Sequence, residues 1–316
     1  MEFLSLMGRY LRINFGQMRR QWIRRNWPEF KSSTNTISPP KISVVCANYN
    51  TVDLISQLIF SLCRIVGREK ISEIVIVDNN STDGSVELLS TMQEAKIITA
   101  IFNSEQRYHG PALNQAMDYL LRKQIDATSE KEATDYVIVL DSDVVVLRSD
   151  ILEDSVDALK KQNAGLCGQF QPHKHIPEGY AHINSILIDP VRVWKRGICT
   201  FEEVGDPAVP LQKSMIQAGI KRVDFPFCAE NYLLHLGRGT LKNIFDKNIS
   251  TNNYFEWARE KNEFHFQGNP NGFLFYEEYL KIFSQEVSSF SPELIVEACL
   301  NPQKINFDFL EVSRQA

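Results

Sequence analysis

The chain has no run of about 18 uninterrupted apolar residues, so no segment reads as a membrane-spanning helix. The first residues lack the basic, apolar and small-residue succession of a secretory signal. There is no Cys-x-x-Cys pair. The six cysteines, Cys46, Cys63, Cys167, Cys199, Cys228 and Cys299, are scattered and read as reduced, mostly buried thiols of a cytoplasmic protein. Without secretion, the sequons at Asn80 and Asn248 mean little. Neither a Gly-x-x-x-x-Gly-Lys phosphate loop nor a Gly-x-Ser-x-Gly nucleophile elbow occurs. Internal repeats and low-complexity tracts are also missing.

What is present is enough to bury a substantial core: 316 residues, 43% of them hydrophobic and 23% charged. The net charge of −5 is unevenly spread. Residues 1–40 balance to +5 and the remainder to −10, and an acidic body argues against a nucleic-acid groove. Three regions follow: a basic amphipathic helix and linker over 1–40, a main domain over 41–240, and an aromatic-rich extension over 241–316.

Within residues 1–27, Leu4, Met7, Leu11, Phe15, Met18 and Trp22 recur every three or four positions and share one helix face. Arg9, Arg12, Arg19, Arg20 and Arg24 lie off it. Such a helix suits an anionic membrane surface, making the protein peripheral at the cytoplasmic face. Equally, it suits docking on the body of the protein or on a second subunit. Gly16 costs about 1 kcal/mol in mid-helix, which favours a helix that needs a partner surface. The polar stretch 31–40 ends in Pro39-Pro40 and reads as a linker.

From Lys41 onward strands and helices alternate. Strands are expected at 42–46, 73–77, 97–102 and 136–140, with helices at about 53–66, 85–95, 111–123 and 150–162. A further strand is expected at 183–188, and a helix at 207–218 ended by Gly219. This alternation predicts an α/β fold with a mostly parallel sheet covered on both faces, whose ligands sit beyond the carboxyl ends of the strands.

Asp141-Ser142-Asp143 stands at such an end. Residues two apart in an extended segment point to one side, and two carboxylates so placed repel unless a cation joins them. A hard divalent cation fits, and such cations also hold substrate phosphates. Chance alone supplies about one Asp-x-Asp in an acidic chain of this length, so position decides its value. Asp78 ends the second strand, where a carboxylate can accept hydrogen bonds from a base or a ribose. Asn48, Tyr49 and Asn50 end the first strand with Asp53 just beyond, and turn or capping chemistry explains them equally well. Gly110-Pro111 opens a helix, whose free N–H groups suit phosphate, though a plain loop-to-helix turn reads the same way. Downstream, Glu202, Glu203 and Asp206 precede a helix, either as candidate general bases or as ordinary first-turn acids. His235-Leu236-Gly237-Arg238-Gly239-Thr240 places an imidazole on an irregular backbone. His173, His175 and His182 form no metal-ligand spacing with any acid.

In this order the motifs resemble the family 2 glycosyltransferases of the GT-A fold. Asn48-Tyr49-Asn50 is similar to that family's Pro-Thr-Tyr-Asn strand end, with Ala47-Asn48 in place of Pro-Thr. Val77-Asp78-Asn79-Asn80-Ser81-Thr82-Asp83-Gly84 resembles its Val-Asp-Asn-x-Ser-x-Asp-Gly segment. Gly110 through Ala116, with Asn114, resembles its helix start, Asp141-Ser142-Asp143 its Asp-x-Asp, and His235-Leu236-Gly237 its His-Leu-Gly segment. The resemblance covers about residues 41–240 and implies sugar transfer from a nucleoside diphosphate donor to a glycan or lipid-linked acceptor. It implies that Asn48, Tyr49 and Asp78 flank the base, with Asp53 a weaker candidate, and that Asn114 and Asp141 lie near ribose and sugar. Asp143 and His235 would hold Mn²⁺ or Mg²⁺ on the diphosphate. The family's Glu-Asp base is replaced by Gly205-Asp206-Pro207, which leaves Asp206 as the first candidate and Glu203 and Glu202 as rivals.

Two other readings compete. A sugar-1-phosphate nucleotidyltransferase would need a Gly-rich basic loop after the first strand, where this chain has Asn48-Tyr49-Asn50-Thr51. A non-catalytic nucleotide-sugar binding module would tolerate a damaged base. For residues 1–27, the membrane reading predicts co-sedimentation of the full chain with anionic liposomes, lost when residues 1–30 are deleted. The docking reading predicts no binding to those vesicles.

Overall fold

The computed structural model describes residues 39–126, 134–170, 176–194, 201–202, 206–237, 269, 271–289 and 291–307. The expected N-terminal helix of residues 1–27 lies outside them, as do Glu203, His173, His175 and the aromatics between 245 and 268.

A seven-stranded sheet runs in the order β3-β2-β1-β4-β7-β6-β8. The strands are β1 (Ile42–Asn48), β2 (Ile71–Asp78), β3 (Thr99–Phe102), β4 (Tyr136–Leu140), β6 (Leu166–Phe170), β7 (Ala181–Ile188) and β8 (Arg222–Asp224). β1 pairs in parallel with β2 and β4, and β2 with β3. β7 is antiparallel to both β4 and β6, and β6 is parallel to β8, so β7 alone runs against the rest. The mostly parallel, helix-covered sheet expected from the strand and helix alternation is therefore present.

Period-two alternation builds the two faces. Val44, Cys46, Ile74, Ile76, Ile138 and Leu140 point into one core, and Val45, Val75, Val77, Val137 and Val139 into the other. The first core is covered by α1 (Val52–Ser61), α2 (Ser85–Glu94) and α4 (Ile151–Gln162). The second is covered by α3 (His109–Asp126) and, beyond the short α5 (Pro190–Trp194), by α6 (Ala208–Gln217). Several boundaries differ from the sequence expectation: β1 runs on to Asn48, β2 starts at Ile71, β7 starts at Ala181, and α1 gives way to a π-helical turn after Ser61. β3 begins at Thr99 because the Ile97 N–H bonds the Met92 carbonyl at the end of α2. α3 begins at His109, two residues earlier than expected.

A second sheet was not legible in the sequence: β5 (Val144–Val146) pairs antiparallel with β9 (Leu233–His235). Three-residue strands carry too few positions to show a period.

α1 is buried nearly all round, which fits its high apolar content. The sheet covers one side, and α7 (Gly272–Glu286) and α8 (Pro292–Leu300) cover the other. Phe60 meets Phe283 edge-on, with ring centroids 5.1 Å apart. The Tyr279 hydroxyl donates to the Gln57 carbonyl at 2.8 Å. The π-helical turn Leu62–Gly67 then carries Arg64, whose side chain is 2% exposed. Its guanidinium donates to the Gln303 carbonyl (2.9 Å), the Ala298 carbonyl (3.0 Å) and Glu286 (2.7 Å). Among the described residues, no helix is long and apolar enough to cross a membrane.

Removing Arg64 strands two carbonyls and one carboxylate in a packed site. Arg64→Ala is therefore expected to lower stability by about 3 kcal/mol in urea unfolding. Glu286 is partly solvated, so Glu286→Gln should cost about 1 kcal/mol or less. Equal midpoints for Arg64→Ala and the parent would show that the guanidinium does not hold the C-terminal helices.

Candidate active site

Because β1 to β4 are parallel, their carboxyl ends share one edge, and the chain turns polar there. Asn48 aligns with Asp78, and Asp78 with Phe102. Asp78 is 0% exposed. It accepts from Asn48 Nδ2 (2.8 Å), the Ser81 hydroxyl (2.6 Å) and the Ser81 N–H (2.9 Å). Burial of a carboxylate is costly unless such partners meet it. Asp78 thus organises the floor of the crevice from below. Asn50 has a left-handed backbone (φ 52), accepts from the Thr82 N–H at 2.7 Å, and fixes the β2–α2 turn to the end of β1. Thr51 Oγ1 bridges Asn48 Oδ1 (2.7 Å) and Ser142 Oγ (3.0 Å), tying that floor to the Asp141–Asp143 turn. Tyr49 is half-buried beside these groups. Asp53 instead sits in the buried first turn of α1, where its charge helps raise the Tyr276 phenol after burial has done most of that work.

The Asp141–Asp143 turn leaves β4 with the Asp141 N–H on the Asn184 carbonyl (3.1 Å) and enters β5. The β5–β9 ribbon then sets the geometry. Val144 is opposite His235, and the Leu236 N–H bonds the Asp143 carbonyl at 3.0 Å. His235 Nε2 consequently lies 3.3 Å from Asp143 Oδ1 and 3.8 Å from Asp141 Oδ2. One donor atom from each of the three residues falls within 4.8 Å of the others. Adjacent ligands of an octahedral cation at about 2.1 Å stand about 3 Å apart, so the spacing and the two-carboxylate, one-imidazole set fit a small divalent ion. Burial lowers the His235 imidazole, but Asp143 and then Asp141 outweigh it and raise its pKa.

Two further imidazoles reach this edge. His109 Nε2, at the start of α3, is 3.2 Å from Asp141 Oδ1. Burial pulls this imidazole down and Asp141 more than reverses it. Correspondingly, burial pushes the Asp141 carboxyl up, but His109, then His235 and His182, hold it down to about 2. His182 lies on β7 with its ring centroid 5.6 Å from that of His235. His182 was missed because the strand expected at 183–188 starts two residues earlier, at Ala181, and alternation along β7 then puts His182 on one face with Asn184.

Asp206 arrives from the far side. Its Oδ2 accepts from the Ile183 N–H (3.1 Å) and its Oδ1 from the Ala208 N–H (2.8 Å), so it joins β7 to the start of α6. Burial pushes its carboxyl up to about 6; the two N–H donors oppose this and Asp141 adds to it. His182 Nε2 is 3.9 Å from Asp206 Oδ2. Glu202 is exposed. Asn114 clamps the Phe201 backbone from both sides, donating to its carbonyl (2.8 Å) and accepting from its N–H (2.9 Å). Gly110 packs against the Glu202 backbone so closely that any Cβ would overlap its carbonyl. Gly110 and Asn114 thus fix the segment that leads to Asp206.

Comparison with known proteins adds the following. Among solved structures, a mannosyltransferase of Pyrobaculum calidifontis in complex with GDP-Man and Mn²⁺ is 18% identical, with a TM-score of 0.48 over 71% of this chain and 66% of that one. TarS 1–349 of S. aureus in complex with UDP-GlcNAc is 16% identical, with a TM-score of 0.42 over 55% of this chain and 52% of that one. Glucosyl-3-phosphoglycerate synthase of Mycobacterium tuberculosis, with Mn²⁺, UDP and glucosyl-3-phosphoglycerate, is 16% identical, with a TM-score of 0.42 over 58% and 70%. The chain spans 66% of the first of these structures and about half of the second. No curated protein matches the sequence. The family described as glycosyl transferase family 2 matches residues 43–204, half of the chain, and the protein belongs to that family.

Proposed function

We propose that this protein transfers a sugar from a nucleoside diphosphate sugar to the hydroxyl of a glycan or lipid-linked acceptor, with inversion at the anomeric carbon. The convergence of Asp141, Asp143 and His235 at the carboxyl edge of the sheet carries this reading. Mn²⁺ or Mg²⁺ bound to Asp143 and His235 would supply Lewis-acid stabilisation of the departing diphosphate. Asp141, held ionised by its imidazole neighbours, faces the ribose and the donor sugar. The Asn48–Asp78–Ser81 network supports the crevice in which Tyr49 and the strand ends meet the base. Asp206 is the base. A carboxyl held near 6 is ionised at neutral pH yet basic enough to take a hydroxyl proton as the new bond forms. The +5 balance of residues 1–40 supports attachment to an anionic membrane face, which suits a lipid-linked acceptor.

Calorimetry with a panel of nucleotide sugars, with and without Mn²⁺, is expected to find a donor that binds tightly only with the metal. Asp143→Ala and His235→Ala should each weaken that binding by more than about tenfold. Unchanged metal-dependent binding by Asp143→Ala would sink the reading.

Asp206 must be ionised to act, so its raised pKa sets the acid limb of the rate. kcat/KM should climb as pH rises through about 6 and then level. Asp206→Asn should lower kcat by about 10²–10⁴-fold with donor binding retained. A flat profile from about pH 5 to about 7.5 would rule out Asp206 as the titrating base.

A further inference from the structure

We propose that His182 orients the acceptor hydroxyl, as the second jaw of a cradle whose first jaw is Asp206. This rests on the glycosyl-transfer reading above. The Nδ1 atom of His182 accepts the Asn184 N–H at 3.1 Å. That bond fixes the tautomer: a neutral ring keeps its proton on Nε2, the nitrogen facing Asp206 Oδ2 at 3.9 Å. The distance is too long for a direct hydrogen bond. A hydroxyl oxygen about 2.8 Å from each atom closes the gap, accepting from Nε2–H and donating to Oδ2.

Both jaws are fastened to the same short stretch of β7. Asp206 Oδ2 accepts the Ile183 N–H, and His182 Nδ1 accepts the next N–H along, that of Asn184. Neither can swing without breaking a bond to a central strand. The His235 ring stands 5.6 Å from that of His182, so the cradle lies beside a residue that would hold the metal.

A hydroxyl has one proton and two lone pairs. The cradle uses the proton and one pair, leaving the second pair for the anomeric carbon. As that O–C bond forms, the O–H bond breaks and the proton moves to Asp206 Oδ2. The bond from the anomeric carbon to the diphosphate oxygen breaks, and its electron pair leaves with the nucleoside diphosphate. His182 keeps its own proton throughout.

Water fits the same cradle, so the test needs no natural acceptor. With full chain and Mn²⁺, release of nucleoside diphosphate from UDP-GlcNAc, UDP-glucose and GDP-mannose into water is measured for the parent, His182→Ala and His182→Gln. His182→Ala should lower kcat about 100-fold. Donor KM and the calorimetric Mn²⁺-dependent affinity should stay within about twofold. His182→Gln, which keeps an N–H donor, should recover part of the rate. An unchanged kcat in His182→Ala overturns the proposal. So does a parallel loss of Mn²⁺-dependent affinity, the mark of a residue that only supports His235. A parent that binds a donor yet releases no nucleotide to water overturns the cradle alone, whereas a parent that binds no donor overturns the transfer reading beneath it.

Discussion

Asp141 and Asp143 share one turn, and carboxylates so close repel unless partner groups come to meet them. Three elements answer that demand. β9 brings His235, the start of α3 brings His109, and β7 brings His182. The reversed direction of β7 matters at the same edge. Leu140, the last residue of β4, pairs with Ser185, the fifth residue of β7, so Ala181 to Asn184 reach beyond the end of β4. An antiparallel neighbour delivers its opening residues to that edge, whereas a parallel one would deliver its last. His182, Ile183 and Asn184 thereby arrive beside the acids, and with them the N–H groups that hold Asp206 and orient His182.

The crevice floor is governed by satisfaction of polar groups rather than by charge. Asp78, Asn48, Ser81 and Thr51 are joined in one network that leaves the Asp78 carboxylate with three donors and no exposure. A parallel network of Asn79, Asn103 and Gln115 ties β2 to β3 and α3, and the Asn79 amide holds the Tyr108 carbonyl just before His109. Ordering these amides in advance leaves less entropy to lose when a ligand arrives. Acids and amides at strand ends therefore serve two purposes here: some face the crevice, while others hold the ones that do.

The alternation of strands and helices was legible because β1, β2 and β4 are buried apolar runs punctuated by polar turns. The Asp141, Asp143 and His235 set was legible through motif order, although 92 positions separate Asp143 from His235. The β5–β9 ribbon that unites them was not, since strands of three residues show no period. His182 was hidden for a different reason. Its partners, Asp206 and His235, lie 24 and 53 positions away, and no spacing rule links a strand residue to a helix start and the end of another strand. Asn114 shows the converse. The sequence marked it as a residue of interest, but not that its amide is taken up by the Phe201 backbone.

Arg64 and the Gln303 carbonyl it binds are 239 residues apart. A chain made at about 5–20 residues per second leaves roughly 10–50 s between the appearance of the guanidinium and that of its last acceptor. Over that interval the outer side of α1, with Phe60 and Leu62 on or beside it, has no α7 or α8 to cover it. The nascent sheet must therefore wait with an apolar flank open. α7 and α8, made long after α1, decide when the outer side of that helix is covered.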